Sequence, residues 1–151
     1  MPIDLTVDVG VVMAGSGLGD LVHATSSLEL MKAIESRPNW ALAFDSRNRI
    51  KHQYEEMIKQ GFGRDWLRRL ATRGRIIIVP WERLNRGIQT ALKEEHFDPE
   101  DRKYVETAAK TETKVLVSHD PDYSNSVRRI IRRIHVYVAS ASEALAIGPE
   151  N

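Results

Sequence analysis

Apolar positions along the chain switch repeatedly between the two-residue period of strands and the three-to-four-residue period of helices. In LTVDVGVVM, Leu5, Val7, Val9 and Val11 alternate with Thr6 and Asp8, which predicts a first strand. Leu21, Ala24, Leu28, Met31 and Ile34 then recur at helical spacing before Pro38, and WALAF supplies a second strand, completing a βαβ unit. Asp45 and Ser46 can cap a helix over NRIKHQYEEMIKQ, where Ile50, Tyr54, Met57 and Ile58 share a face ahead of Gly61. RDWLRRLATR predicts a helix closing at Gly74, IIIVP a third strand, and WERLNRGIQTALKEE a further helix. Asp98 and Pro99 open the next helix, which turns Tyr104, Val105, Ala108 and Ala109 inward. Val115, Leu116 and Val117 form a buried strand, Ser124 or Asn125 can cap a basic amphipathic helix in SVRRIIRRI, HVYVA is a last strand, and SASEALAI a terminal helix.

Strands alternating with helices predict an α/β fold, a three-layer α/β/α sandwich around a mostly parallel central sheet. In such sheets functional groups gather at the carboxyl ends of the strands, and Asp8, Asp45 and Asp120 all fall at or near such ends. The 151 residues fit a single domain spanning 1–151. With 22 basic and 21 acidic residues the net charge is +1, which excludes a uniformly basic nucleic-acid coat but allows a basic face beside an acidic pocket. The lack of cysteine excludes disulfides and thiolate metal sites. MPIDLTVDVG has neither a basic n-region nor a long apolar core, so the expected location is cytoplasmic, with no membrane partner.

Several acids invite a chemical reading. Asp8 inside an apolar strand is costly to bury unless it accepts backbone bonds or meets a positive charge. Asp101 follows Asp98 by three positions and can belong to a helix-capping arrangement. KVLVSHDPDYSN delivers Ser118, His119, Asp120 and Asp122 to one strand end, although Asp-Pro-Asp also suits a type I turn. The five histidines show no zinc-ligand spacing. Arg64, Arg68, Arg69, Arg73 and Arg75, and the stripe Arg128, Arg129, Arg132 and Arg133, read either as phosphate contacts or as solvated faces paired with surface acids. Trp40, Trp66 and Trp81 read as core or interface residues. AGSGLGD, placed between a strand and a helix with Asp45 at the next strand end, offers a Rossmann-like nucleotide-binding alternative, but Gly15, Gly17 and Gly19 miss the G-x-G-x-x-G spacing.

VDVGVV, DPEDRKYVETA and LVSHDPDY, taken in order over nearly the whole chain, resemble the PIN-domain superfamily of metal-dependent ribonucleases, many of them toxins of toxin-antitoxin pairs. The resemblance implies a PIN-like fold, with Asp8, Asp101 and Asp120 as metal-binding and catalytic acids, Ser118 orienting Asp120, and Asp122 in reserve. It implies Mg2+ or Mn2+ as cofactor and RNA as substrate, cut to leave a 5′-phosphate and a 3′-hydroxyl. Arg64, Arg68, Arg69, Arg128, Arg129 and Arg132 are then the expected RNA contacts, and an antitoxin or a second copy the expected protein partner. Gln53 stands where the family's second acid is expected, with Glu56 one helical turn away, so a catalytically degenerate PIN-like domain binding RNA or protein is the alternative. Two carboxylates about 4 Å apart repel by roughly 4 kcal/mol at an effective dielectric near 20, and hard divalent cations are the natural compensation.

Overall fold

A computed structural model describes residues 2–148; the remaining ends of the expected domain, residue 1 and residues 149–151, lie outside them. Five strands, β1 (Ile3–Val7), β2 (Trp40–Asp45), β3 (Ile76–Val79), β4 (Val115–Val117) and β5 (Tyr137–Ala139), form one sheet in the order β3-β2-β1-β4-β5. Every pairing is parallel. The order runs outward from β1 in both directions, so the chain reverses its winding between β1 and β4. That junction is the topological switch point at which open α/β sheets hold their ligands.

The helices are α1 (Val9–Gly15), α2 (Ala24–Ser36), α3 (Arg49–Met57), α4 (Phe62–Thr72), α5 (Arg86–Glu94), α6 (Arg102–Ala108), α7 (Asn125–Arg132) and α8 (Ala141–Leu145), with a 3-10 turn at Pro99–Asp101 leading into α6. Helix α2 packs against β2 and against α1, α4 and α8, while α6 packs against β1, β2 and β4 and α5 against α7. With helices on both faces, the central strands lose their polar side: Leu5, Thr6 and Val7 of β1 and all of β2 are buried. The three-layer α/β/α sandwich expected from the alternation is therefore the observed architecture, with a sheet parallel throughout. No helix among the described residues is long and apolar enough to cross a membrane.

Three local expectations change. The first strand stops at Val7, because Asp8 caps α1 by accepting the Gly10 N–H at 3.1 Å, and Val9, Val11, Val12 and Ala14 are buried from a helix. Val9 and Val11 satisfy an alternating pattern, but Val9 and Val12 equally satisfy a helical one, and the cap decides between them. Gly15 accordingly ends a helix, and Gly17 and Gly19 follow a helix rather than a strand. At Gly15 a Cβ would stand 2.6 Å from the Met31 sulfur and 3.0 Å from the Leu28 nitrogen, so its role is the close crossing of α1 and α2. The helix expected from Trp81 begins only at Arg86, where the Asn85 side chain accepts the Ile88 N–H at 2.9 Å.

Candidate metal centre

The register of β1 and β4 explains how acids distant in sequence meet. Val7 lies opposite Val117, so the residues that follow, Asp8 and Ser118, are neighbours at the carboxyl edge of the sheet. The Asp8 N–H continues the ladder by donating to Val117 O at 2.9 Å, and Ser118 N–H donates to Ala139 O at 3.0 Å. Above that edge the Ser118 hydroxyl donates to Asp8 Oδ2 at 2.8 Å and accepts the Asp120 N–H at 3.1 Å. Ser118 thus orients Asp8 through its side chain and Asp120 through its backbone. Asp120 in turn accepts the Asp122 N–H at 2.9 Å, and its carbonyl accepts the Tyr123 N–H, which closes the expected turn.

Asp101 arrives from the 3-10 turn ahead of α6. Asp98 caps that turn through Glu100 N at 2.9 Å, and the Asp101 carboxylate makes no hydrogen bond among the described residues. Oxygens of Asp101, Asp120 and Asp122 all lie within 4.8 Å of one another, a spacing suited to a shared cation. Asp8 lies outside that trio but within its field, since its carboxyl is raised mainly by burial and also by the charge of Asp120. Burial first, then Asp8, Asp98 and Asp120, push the Asp101 carboxyl up to about 6. Lys103 is the cation that tempers both groups, and its Nζ is itself held by Glu100 O at 2.7 Å. A half-buried carboxylate with no donor, ringed by like charges, is a donor set short of positive charge. The residues therefore fit a hard divalent cation.

Two tyrosines form the floor. Tyr54 of α3 donates to Val7 O, and Tyr104 of α6 donates to Gln53 Oε1 while accepting Val9 N–H at 3.2 Å. Both hydroxyls are raised, by burial first and then by neighbouring charge that includes Asp8. Gln53 is half-buried on α3, and its oxygen is taken by Tyr104. Glu56 is exposed, and neither residue belongs to the carboxylate trio. The buried hydroxyl of Tyr123 has no partner among the described residues and feels Asp8, Asp101 and Asp120. No spacing rule pointed to Tyr123, because its ring packs edge-on to Phe97 as an ordinary core residue would.

The remaining expected residues lie elsewhere. Asp45 spends its carboxylate on the N–H groups of Arg47, Arg49 and Ile50, which fixes the start of α3 and leaves nothing for a ribose. His119 stacks on His23 at 3.8 Å, and its Nε2 accepts the Ala141 N–H. Burial and then His23 hold it below the usual histidine range. Arg69 is bound to Glu35 at 2.6 and 3.1 Å, and Arg128 donates to Tyr123 O and Val138 O. Arg68 pairs with Asp65 at 4.0 Å and Arg132 lies over the Tyr137 ring. Arg64 is partly buried and Arg129 exposed. Arg69 and Arg128 are thus committed to internal contacts.

The raised Asp101 carboxyl sets a pH dependence. The folded protein holds that proton more tightly than the unfolded chain, so without metal, stability falls as pH rises from about 4 to about 6 and then levels. Asp101→Asn should flatten this slope and raise the melting temperature at neutral pH in chelator, as thermal scans across that range will read. Manganese should raise the melting temperature of the native protein and raise that of Asp101→Asn less. An unchanged increment would show that Asp101 does not ligate the metal.

No protein-family model, curated protein or solved structure matches the chain, so the functional reading rests on the geometry of this site.

Proposed function

We propose that the protein is a metal-dependent endoribonuclease of PIN-like design. The observation that carries the proposal is the meeting of Asp8 and Ser118 from adjacent strands with Asp101 and Asp120 at the switch point of a parallel sheet. Asp101, Asp120 and Asp122 would hold a divalent cation, Mg2+ or Mn2+, with Asp8 beside them. Bound there, the cation supplies Lewis-acid polarisation and offsets negative charge in phosphodiester hydrolysis.

The side chains do the rest. Ser118 fixes the Asp8 rotamer, so the carboxylate needs no reorganisation at the moment of reaction. Asp101 must surrender its proton to serve as a ligand, so manganese affinity should fall as pH drops below about 6. Tyr54 and Tyr104, both fully buried, separate the floor of the site from the core. The direct test incubates RNA with the protein in manganese, magnesium or chelator: cleavage only with metal supports the reading, and equal cleavage in chelator sinks it.

The occupation of Gln53 by Tyr104 favours one rival, a catalytically degenerate domain that binds without cutting. Gln53→Glu separates the two. A carboxylate there would still accept from the Tyr104 hydroxyl and would add charge beside the site, so manganese should bind on the order of tenfold tighter, with higher cleavage. Glu56→Gln, at an exposed position, should change little. A Gln53→Glu protein that binds metal no better would mean that this face of α3 does not serve the centre.

A further inference from the structure

The basic surface nearest the acids is not one that the arginine runs suggested. Between α3 and the start of α6 lies an open cleft of about 550 Å3, lined by Arg47, Arg49, His52 and Lys103 and also by the acids Glu56 and Glu100. It shares Gln53 with the floor of the acidic site, through the Gln53–Tyr104 bond, and Lys103 is the cation that Asp8 and Asp101 both feel. Past Arg49 and Pro99, which line both, a smaller hollow of about 200 Å3 adds Trp81, Arg83, Arg102 and Glu106. One wall is built by the Asp45 turn, which holds Asn48 in the left-handed region at φ 59° and binds the N–H groups of Arg47 and Arg49 on either side of it in sequence.

The Arg47 guanidinium lies 3.9 Å above the centre of the Trp81 ring, and Arg49 lies 5.0 Å away. Trp81 is fixed in turn by its indole N–H on Glu106 Oε1 at 3.1 Å and its backbone N–H on the Ser46 hydroxyl at 2.8 Å. A guanidinium stacked on an aromatic ring uses its flat face and keeps its in-plane N–H donors for an anion. No carboxylate pairs with Arg47 among the described residues, and Arg49 has only a 3.9 Å contact with Glu106.

We propose that this trough binds the phosphodiester backbone of a single-stranded RNA, with Arg47 and Arg49 on phosphates and Trp81 preorganising Arg47, and leads the strand to the acidic centre. The choice of RNA over an acidic peptide rests on the nuclease reading; the groove itself rests on its own geometry. Troughs that set exposed arginines beside an aromatic platform suit single strands, whose backbone they track.

The test measures binding of a fluorescently labelled single-stranded RNA to the full chain in excess chelator, across a range of salt. Native protein should bind, and the charge reversal Arg47→Glu with Arg49→Glu should weaken binding by at least about tenfold and lower the salt slope. Arg83→Glu, at an exposed position, provides a second and independent loss. Lys32→Glu, exposed on α2, should leave binding unchanged. Trp40 and Trp66 are buried, so RNA should change the intrinsic fluorescence of the native protein through Trp81 and not that of Trp81→Phe. Undiminished binding in the double variant overturns the groove, as does equal affinity for a duplex or for polyglutamate. Binding that depends on these arginines without any metal-dependent cleavage keeps the groove and removes the nuclease. Metal-dependent cleavage at the native rate in the double variant does the reverse.

Discussion

Asp8→Asn should lower metal-dependent RNA cleavage on the order of a thousandfold while leaving the fold intact. The amide keeps an oxygen for the Gly10 N–H that caps α1, so the strand-to-helix corner survives. Opposite Ser118, an amide nitrogen in place of Oδ2 would donate to the hydroxyl where the carboxylate accepts from it, and serine can do both. What disappears is the negative charge at the carboxyl end of β1. Because burial and Asp120 raise the Asp8 carboxyl, its ionised form is the one the fold disfavours, and the variant in chelator should melt no lower than the native protein. Activity loss with an unchanged melting temperature assigns Asp8 to chemistry. Loss of both would reduce it to a cap.

The largest stability effect is expected at Asp45, far less conspicuous in the sequence than the acidic turn. Its carboxylate is 1% exposed and accepts three backbone N–H groups, from Arg47, Arg49 and Ile50, at 2.9 to 3.1 Å. Asp45→Ala strands those donors at a helix start, at a cost of about 2–4 kcal/mol on the scale of buried charged hydrogen bonds and lost caps. Urea unfolding will read it, with Asp45→Asn intermediate because the amide keeps one acceptor oxygen. The same substitution should also weaken RNA binding, since the turn it releases carries Arg47 and Arg49. A change below about 1 kcal/mol would show that α3 is held by packing of Ile50 and Tyr54 instead.

Sequence periodicity carried the layer architecture well, because a parallel sheet covered on both faces leaves runs such as WALAF that little else explains. It failed where two periods coincide. Val9 and Val11 read as strand until the Asp8 cap is seen, and the Trp81 segment read as helix although its indole is needed against Glu106 and Arg47. Asp101, Ser118 and Asp120 were legible as a constellation only through resemblance to a family pattern. Their meeting depends on the β1–β4 register, a long-range pairing that no local window contains.

Charge was the least legible property. Runs of arginine drew attention to α4 and α7, yet Arg69 is neutralised by Glu35 and Arg128 is bonded to two carbonyls. Arg47 in the turn and Arg49 at the start of α3 remain open toward the cleft beside their platform, Trp81, which follows β3. Composition counts charges, whereas binding depends on which of them the fold leaves without partners.

The central claim is that the acidic centre cuts RNA by a metal-dependent route. Its most direct test maps the ends produced when purified protein meets a single-stranded RNA, with manganese and with excess chelator in parallel. Cleavage confined to the manganese sample, leaving 5′-phosphate and 3′-hydroxyl ends, is the expected result. Equal cleavage in chelator, or ends carrying a 2′,3′-cyclic phosphate, would contradict it.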